Sequence, residues 1–306
     1  MRARHSLVAG TLATAASLLG GCATPPPAPT AIATPAPRLM TWPDLLGRAR
    51  PSPTATVAYG KDPLQLADLW LPRGRGPHPT VLMVHGGCWM TDIADRTIMN
   101  WIADDLRQRG IAVWNIDYRG VDRPGGGFPG TYRDAAAAAD ALRSNAARYR
   151  LDLKRLTAVG HSAGGHLALW LAARPRLPQS SALRSPAPLP IRTVVSLGGL
   201  PDLEQAARPP LSGCGAEVIP KISGGRLTET SLPRLAPIGV RQVLVNGTRD
   251  RIIPNAYATD YAATMRGAGD KVAVRMVENS GHVELIAPDS AAWRIAVKEI
   301  EKALGR

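Results

Sequence analysis

The 306-residue sequence has few cysteines, few lysines and no long run of apolar residues. Its three cysteines and six histidines show no spacing with one another or with carboxylates that is typical of a metal site. The net charge of +13 reflects 31 arginines and only six lysines. These basic residues are scattered along the chain, and no nucleic-acid-binding motif accompanies them. We therefore expect no metal, no other cofactor and no nucleic-acid partner. We interpret the charge as a solvated basic surface with some attraction for anionic membranes or cell-wall polymers.

The first 21 residues have the features of an export signal. A basic start is followed by an apolar segment at 6–19, which is too short to span a bilayer. Residues 19–22, Leu-Gly-Gly-Cys, resemble a bacterial lipobox, in which the cysteine receives lipid and becomes the mature N-terminus. We predict a lipoprotein signal peptide at 1–21 and lipidation of Cys22, with Ala23 favouring the outer membrane. An ordinary secretory signal cleaved nearby is the alternative.

A proline-rich stretch follows the predicted lipid anchor. Residues 23–38 are of low complexity and have no apolar face to pack. We predict that residues 22–48 form a lipid-anchored linker and that residues 49–306 form one folded domain, which carries the chemistry. The protein would then be exported and held on the cell envelope by a tether.

The pattern of the predicted domain is typical of an α/β fold. Residues 55–59 and 64–70 alternate apolar and polar positions around a turn, which predicts an antiparallel hairpin. Unbroken apolar strands then alternate with helical patterns, which predicts a mostly parallel sheet of about eight strands with helices on both faces. The predicted strands lie at 80–84, 111–116, 156–159, 191–197, 243–245 and 272–277, and the predicted helices at 98–109, 132–149, 165–173, 256–267 and 291–304. Residues 202–237 have little periodicity and many turn residues, so we predict a small cap over the carboxyl ends of the strands.

The pentad Gly160-His161-Ser162-Ala163-Gly164 lies between a predicted strand and a predicted helix. A G-x-S-x-G turn in this position is typical of a nucleophile elbow, in which a strained backbone lifts the serine oxygen clear of the sheet. The glycines are required because a Cβ at either flank would collide with the neighbouring strand or helix. We predict that Ser162 is a nucleophile and not an ordinary helix-capping serine.

A carboxylate and a base are predicted after the last two strands of the sheet. Asp250 follows the strand at 243–245 and His282 follows the strand at 272–277, so the chain order is serine, acid, histidine. In such a set the histidine accepts the serine proton while the carboxylate orients the ring. Asp202 and Glu284 compete for the role of the acid, and His85, His161 and His166 compete for that of the base. We assign Asp250 and His282 from their positions at strand ends.

The segment His85-Gly86-Gly87-Cys88-Trp89 follows the first predicted strand of the parallel series. Its glycines can turn backbone N–H groups toward an oxyanion, and we predict Gly86, Gly87 and Ala163 as the oxyanion hole. Trp89 is predicted as a wall of the substrate pocket, with simple packing as the alternative.

Together these motifs resemble the α/β-hydrolase superfamily, near the hormone-sensitive-lipase and arylformamidase-like esterases. The resemblance covers residues 52–304 and rests on H-G-G-x-W at 85–89, G-H-S-A-G-G at 160–165, G-T-x-D at 247–250 and G-H at 281–282. Cys88 departs from it, since related sequences often carry glycine or an aromatic residue there. The resemblance implies an α/β-hydrolase fold and a serine carboxylesterase that acts through an acyl-enzyme on small-molecule or polysaccharide-borne esters.

Residues 202–237 have few long apolar runs, which favours short acyl chains. The alternatives to an esterase are a serine peptidase, an arylformamidase-like amidase, or a catalytically silent binding protein of the same fold.

The remaining cysteines form a candidate disulfide. If Cys22 carries lipid, Cys88 and Cys214 are left as a pair in an oxidising compartment. We predict a bond between them, with two buried and unbonded cysteines as the alternative. The bond would join the cap to the oxyanion loop.

Overall fold

An eight-stranded sheet lies at the centre of the computed structural model, in the order β1-β2-β4-β3-β5-β6-β7-β8. The strands are β1 (Ala55–Ala58), β2 (Leu66–Trp70), β3 (His78–Val84), β4 (Ala112–Ile116), β5 (Leu151–His161), β6 (Thr193–Leu197), β7 (Arg241–Gly247) and β8 (Lys271–Val277). β2 pairs antiparallel with both β1 and β4, and the other pairings are parallel. The predicted hairpin and the mostly parallel sheet are therefore confirmed.

The parallel strands are apolar throughout because both faces of the sheet are covered. Every residue of β4 and β6 is buried. Successive side chains of β3 enter different cores, since Leu82 belongs to one buried cluster while Val81 and Met83 belong to the other. The sheet thus separates two hydrophobic cores.

Helices cover both faces of the sheet, as predicted. The helices are α1 (Trp42–Leu46), α2 (Asn100–Gln108), α3 (Gly130–Tyr149), α4 (Ala163–Ala173), α5 (Leu203–Ala206), α6 (Val218–Ser223), α7 (Leu227–Thr230), α8 (Ala256–Gly267) and α9 (Ala291–Ala303). α3, α4 and α8 contribute to the core that contains Leu82, and α2 and α9 contribute to the other core. α4 starts directly after Ser162 and is buried along its whole length, so the residues around that serine have little room to move.

The predicted cap over 202–237 contains the three short helices α5, α6 and α7. α5 begins at Asp202, whose carboxylate accepts hydrogen bonds from the backbone N–H groups of Glu204 (2.9 Å) and Gln205 (3.1 Å). Each of these helices spans only four to six residues, which explains why the sequence shows no helical period there.

The structure describes residues 9–10, 37–209 and 212–306, and residues 37–306 form one folded unit. The linker predicted over 22–48 is therefore too long at its C-terminal end. Leu45 is fully buried, and Arg48 forms an ion pair with Asp289 (2.8 Å). Cys22 and nearly all of the predicted signal peptide lie outside the described residues.

Across these described ranges, no helix combines the length and the hydropathy needed to cross a bilayer.

Candidate active site

The register of the sheet brings the predicted site residues to one edge. Val84 of β3 is aligned with Gly160 of β5, and Leu197 of β6 is aligned with both His161 of β5 and Val245 of β7. Because these strands are parallel, the loops that follow them meet at their common carboxyl edge. Those loops carry Gly86 and Gly87 after β3, Ser162 after β5, Asp250 after β7 and His282 after β8.

Ser162 sits in a left-handed backbone conformation, with φ 54° and ψ −124°. Its N–H donates to the carbonyl of Leu197 (2.8 Å), and its own carbonyl accepts from the N–H of Gly165 (2.8 Å). A Cβ at Gly160 would lie 2.0 Å from the carbonyl oxygen of Gly164, and a Cβ at Gly164 would lie 2.3 Å from that of His85. The turn predicted from the pentad is thus present, and both glycines are required sterically.

The predicted acid and the predicted base contact each other. The Asp250 carboxylate accepts a hydrogen bond from His282 Nδ1 at 2.7 Å. Its other oxygen accepts from the backbone N–H groups of Ile252 (2.8 Å) and Ile253 (2.9 Å), so the carboxylate is held in place. Because a carboxylate only accepts, Nδ1 of His282 carries a proton, so in the neutral ring Nε2 is the nitrogen with the free lone pair. This is the tautomer that a general base requires.

The competing carboxylates are engaged elsewhere. Asp202 accepts the first N–H groups of α5. Glu284 accepts a hydrogen bond from the N–H of Met40 (2.6 Å) through Oε1 and one from the N–H of Gly281 (3.1 Å) through Oε2. Asp250 is thus the carboxylate that orients His282.

The competing histidines are buried beside the site. His161 Nε2 donates to the carbonyl of His282 (3.2 Å), and the two ring centroids are 4.4 Å apart. Burial holds the pKa of His161 well below its usual range, so it stays neutral. Burial lowers the pKa of His166 to about 4, and its Nε2 donates to the carbonyl of Thr230 (2.8 Å). Both rings therefore have structural partners.

The loop after β3 is braced by an ionic network. The ring nitrogens of His85 contact the carbonyl of Gly86 (2.7 Å) and the carboxylate of Asp117 (2.9 Å), and Arg96 also donates to Asp117 (2.9 Å). Burial alone would raise the pKa of Asp117, but the hydrogen bonds and charges of His85 and Arg96 lower it. The Tyr118 ring stacks on His85 at 4.3 Å. These contacts fix the loop that carries the predicted oxyanion donors.

The predicted oxyanion loop lies against the serine. A Cβ at Gly86 would be 2.9 Å from Cβ of Ser162. Gly87, Cys88 and Trp89 all have positive φ, between 54° and 103°, so the chain turns sharply here. Gly87 and Cys88 line a cavity together with Ser162.

That cavity has a volume of about 250 Å³, and His282 also lines it. Its other lining residues are Trp42, Leu46, Ile93, Ala94, Ile98, His161, Gly213 and Ile252. The prediction for Trp89 is wrong, because this side chain is fully buried in the core and packs edge-on against His166 at 5.4 Å.

Trp42 and Leu46 were missed by sequence reasoning because they lie in the segment interpreted as linker. A signal was present, since Thr41 and Asp44 have the spacing of a capping box with Pro43 at the start of the helix. The Asp44 carboxylate does accept a hydrogen bond from the N–H of Thr41 (2.7 Å). Proline-rich composition immediately upstream hid this helix start.

Cys88 and Cys214 form a disulfide in the structure, with Cα atoms 5.3 Å apart. The neighbouring Gly213 donates its N–H to the carbonyl of Ile252 (2.6 Å), and Ile252 in turn donates to Asp250. The cap is therefore tied both to the loop after β3 and to the loop that holds the acid.

Within the part of the chain that the structure describes, no group of three or more His, Cys, Asp or Glu residues could hold a metal ion. The chemistry of this site is that of a serine, a histidine and a carboxylate.

Comparison with known proteins finds several that are similar to this chain. Residues 67–215 match the model of the BD-FAE family. A probable isoprenylcysteine alpha-carbonyl methylesterase of Arabidopsis thaliana is 27% identical over 252 residues, which are 76% of this chain and 52% of that protein. The chain has the α/β-hydrolase fold. It spans about half the length of the curated plant relatives it matches.

Two solved structures share the α/β-hydrolase fold of this chain. Esterase B from Lactobacillus rhamnosis superposes with a TM-score of 0.69 at 19% identity, covering 84% of this chain and 87% of that one. A truncated carbohydrate esterase from gut microbiota has a TM-score of 0.68 at 19% identity, covering 84% of this chain and 99% of that one.

Proposed function

We propose that this α/β-hydrolase is a serine carboxylesterase. The observation that carries the proposal is the 2.7 Å hydrogen bond from His282 Nδ1 to the buried side chain of Asp250, because His282 lines the same cavity as the strained Ser162. A silent binding protein would have no need of a buried carboxylate that orients a histidine ring beside a serine. The esterase names of its relatives favour an ester over an amide as the substrate.

The residues act in two half-reactions. Ser162 Oγ attacks the ester carbonyl while His282 Nε2 takes its proton, and Asp250 stabilises the imidazolium that forms. Backbone N–H groups of Ala163 and of Gly86 and Gly87 stabilise the oxyanion. His282 then gives the proton to the departing alcohol. A water molecule, deprotonated by the same histidine, attacks the acyl carbonyl, and His282 returns the proton to Ser162 Oγ as the acid is released.

The size of the cavity supports a small substrate. Its volume of about 250 Å³ lies below the roughly 300–1,000 Å³ of pockets that hold drug-sized ligands. We therefore propose esters with a short acyl group of two to six carbons, carried by a small molecule or by a polysaccharide.

Replacing the nucleophile tests the function. Ser162→Ala removes one oxygen without disturbing the turn, so we expect kcat to fall on the order of 10³-fold or more while circular dichroism stays unchanged. Hydrolysis of 4-nitrophenyl esters from acetate to palmitate gives the measurement. A variant within tenfold of the parent would remove Ser162 from the mechanism, and faster turnover of palmitate than of butyrate by the parent would contradict the short acyl group.

Substitution of two aspartates, one at a time, tests whether Asp250 is the catalytic acid. Asp250→Asn keeps the shape of the side chain but lets it donate to His282 Nδ1, which favours the wrong tautomer, so we expect a loss on the order of 10³- to 10⁴-fold in kcat. Asp202→Asn is the control, because asparagine caps a helix as well as aspartate does. Equal losses in the two variants, measured with 4-nitrophenyl butyrate, would show that Asp250 has no special role.

We also propose that the protein is exported and anchored through lipid on Cys22, which rests on the lipobox-like residues 19–22. Expression of Cys22→Ser in a bacterial host tests this. We expect the variant to leave the membrane fraction, because its signal can no longer be lipidated. The parent chain is the control, and a variant that stays in the membrane fraction as the parent does would rule out lipid as the anchor.

A further inference from the structure

The exposed apolar side chains of this protein converge on one place. Among the described residues, only two large hydrophobic side chains are exposed, Leu46 at 44% and Ile93 at 54%. Single exposed hydrophobic residues are ordinary on a protein surface. Here, however, both line the cavity that contains Ser162 and His282. Apolar surface left open to water at a reactive serine indicates a binding surface.

Leu46 belongs to a segment that is fastened to the catalytic loops. We call residues 37–48 the strap. The N–H of Met40 donates to Glu284 Oε1 (2.6 Å), and Oε2 of the same carboxylate accepts from Gly281, the residue before His282. Near the start of the strap, Arg249, the residue before Asp250, donates to the carbonyl of Pro37 (2.6 Å). The strap is therefore held by the same loops that carry the acid and the base.

The helix in the strap turns two of its side chains toward the substrate cavity. Trp42 and Leu46 are four residues apart in α1 and so share one face, which lines the cavity. Leu45 is fully buried in the core and anchors the helix. The Trp42 ring meets His282 edge-on, with 6.3 Å between ring centroids. Trp42 thus forms a wall beside the base.

The lining of the cavity defines the kind of group it accepts. Trp42, Leu46, Ile93, Ile98 and Ile252 give it an apolar surface, and none of its lining residues is Asp, Glu, Lys or Arg. A charged substrate group would lose its hydration there without gaining a partner. The volume of about 250 Å³ excludes a long chain.

We infer that the strap completes the substrate site, and that Leu46 and Trp42 together with Ile93 select esters with a compact, uncharged apolar group, branched or aromatic, next to the ester bond. The inference rests on the proposed esterase function and adds a specificity element to it. The strap precedes residues 67–215, the part of the chain that matches the family model. The match to the family model therefore does not include the strap.

Two exposed positions allow a test that spares the fold. Leu46→Ser and Ile93→Ser are made in the full chain, since substitutions at exposed positions cost little stability. Leu64→Ser, at a half-buried position in the hairpin turn between β1 and β2 and outside the cavity lining, is the control for the same chemical change. One substrate series varies the acid with 4-nitrophenol constant: acetate, 2-methylpropanoate and 2,2-dimethylpropanoate. The other varies the alcohol with acetate constant: methyl, 2-methylpropyl and benzyl.

We expect both cavity variants to lower kcat/KM for the branched and aromatic members about tenfold relative to the simplest member of the same series, mainly through KM. The control should keep the parent's ratios. A response in the first series assigns the apolar group to the acid half of the ester, and a response in the second assigns it to the alcohol half.

Two results would overturn the inference in distinguishable ways. In the first, the parent hydrolyses the esters and the kcat/KM ratios of both cavity variants stay within twofold of the parent's ratios in both series. The strap then does not select substrates, while the esterase function stands. A folded parent that hydrolyses none of the esters removes the esterase function itself, and the inference falls with it.

Discussion

The backbone at Ser162 is the constraint on which the rest of the site depends. A left-handed conformation at a residue other than glycine costs about 1–3 kcal/mol, so the surroundings must hold it. β6 does so through the carbonyl of Leu197, and β3 does so through the close approach of its end to Gly164. The same end of β3 continues into the loop with Gly86 and Gly87. The contacts that impose the strain therefore also set the distance between the serine and the proposed oxyanion donors.

The loops around the serine are tied to one another and not only to the sheet. The Cys88–Cys214 disulfide joins the loop after β3 to the cap, and Gly213 joins the cap to the loop after β7 through Ile252. Glu284 joins the loop after β8 to the strap. A carboxylate that sequence reasoning considered as the catalytic acid thus has a different use. It couples the position of His282 to the segment that lines the cavity.

Much of this arrangement was predictable because it depends on local patterns. Continuous apolar runs located the strands to within a few residues, although β5 extends well beyond its predicted limits to Leu151–His161. Ser162, Asp250 and His282 each follow a predicted strand. Because the carboxyl ends of parallel strands lie at the same edge of a sheet, the three residues could be predicted to lie together. What failed depends on packing between distant segments. The Trp89 side chain packs in the core against His166, and α1 joins the site only because loops more than 200 residues away hold it. Neither fact is written in the local sequence.

The account rests on Ser162 being activated by His282, and covalent labelling tests this most directly. A fluorophosphonate reacts only with an activated serine, and mass spectrometry after proteolysis locates the adduct. We expect one adduct per chain, on Ser162, and its loss in a folded His282→Gln variant. A folded parent that remains unlabelled, or that is labelled at another residue, would contradict the account.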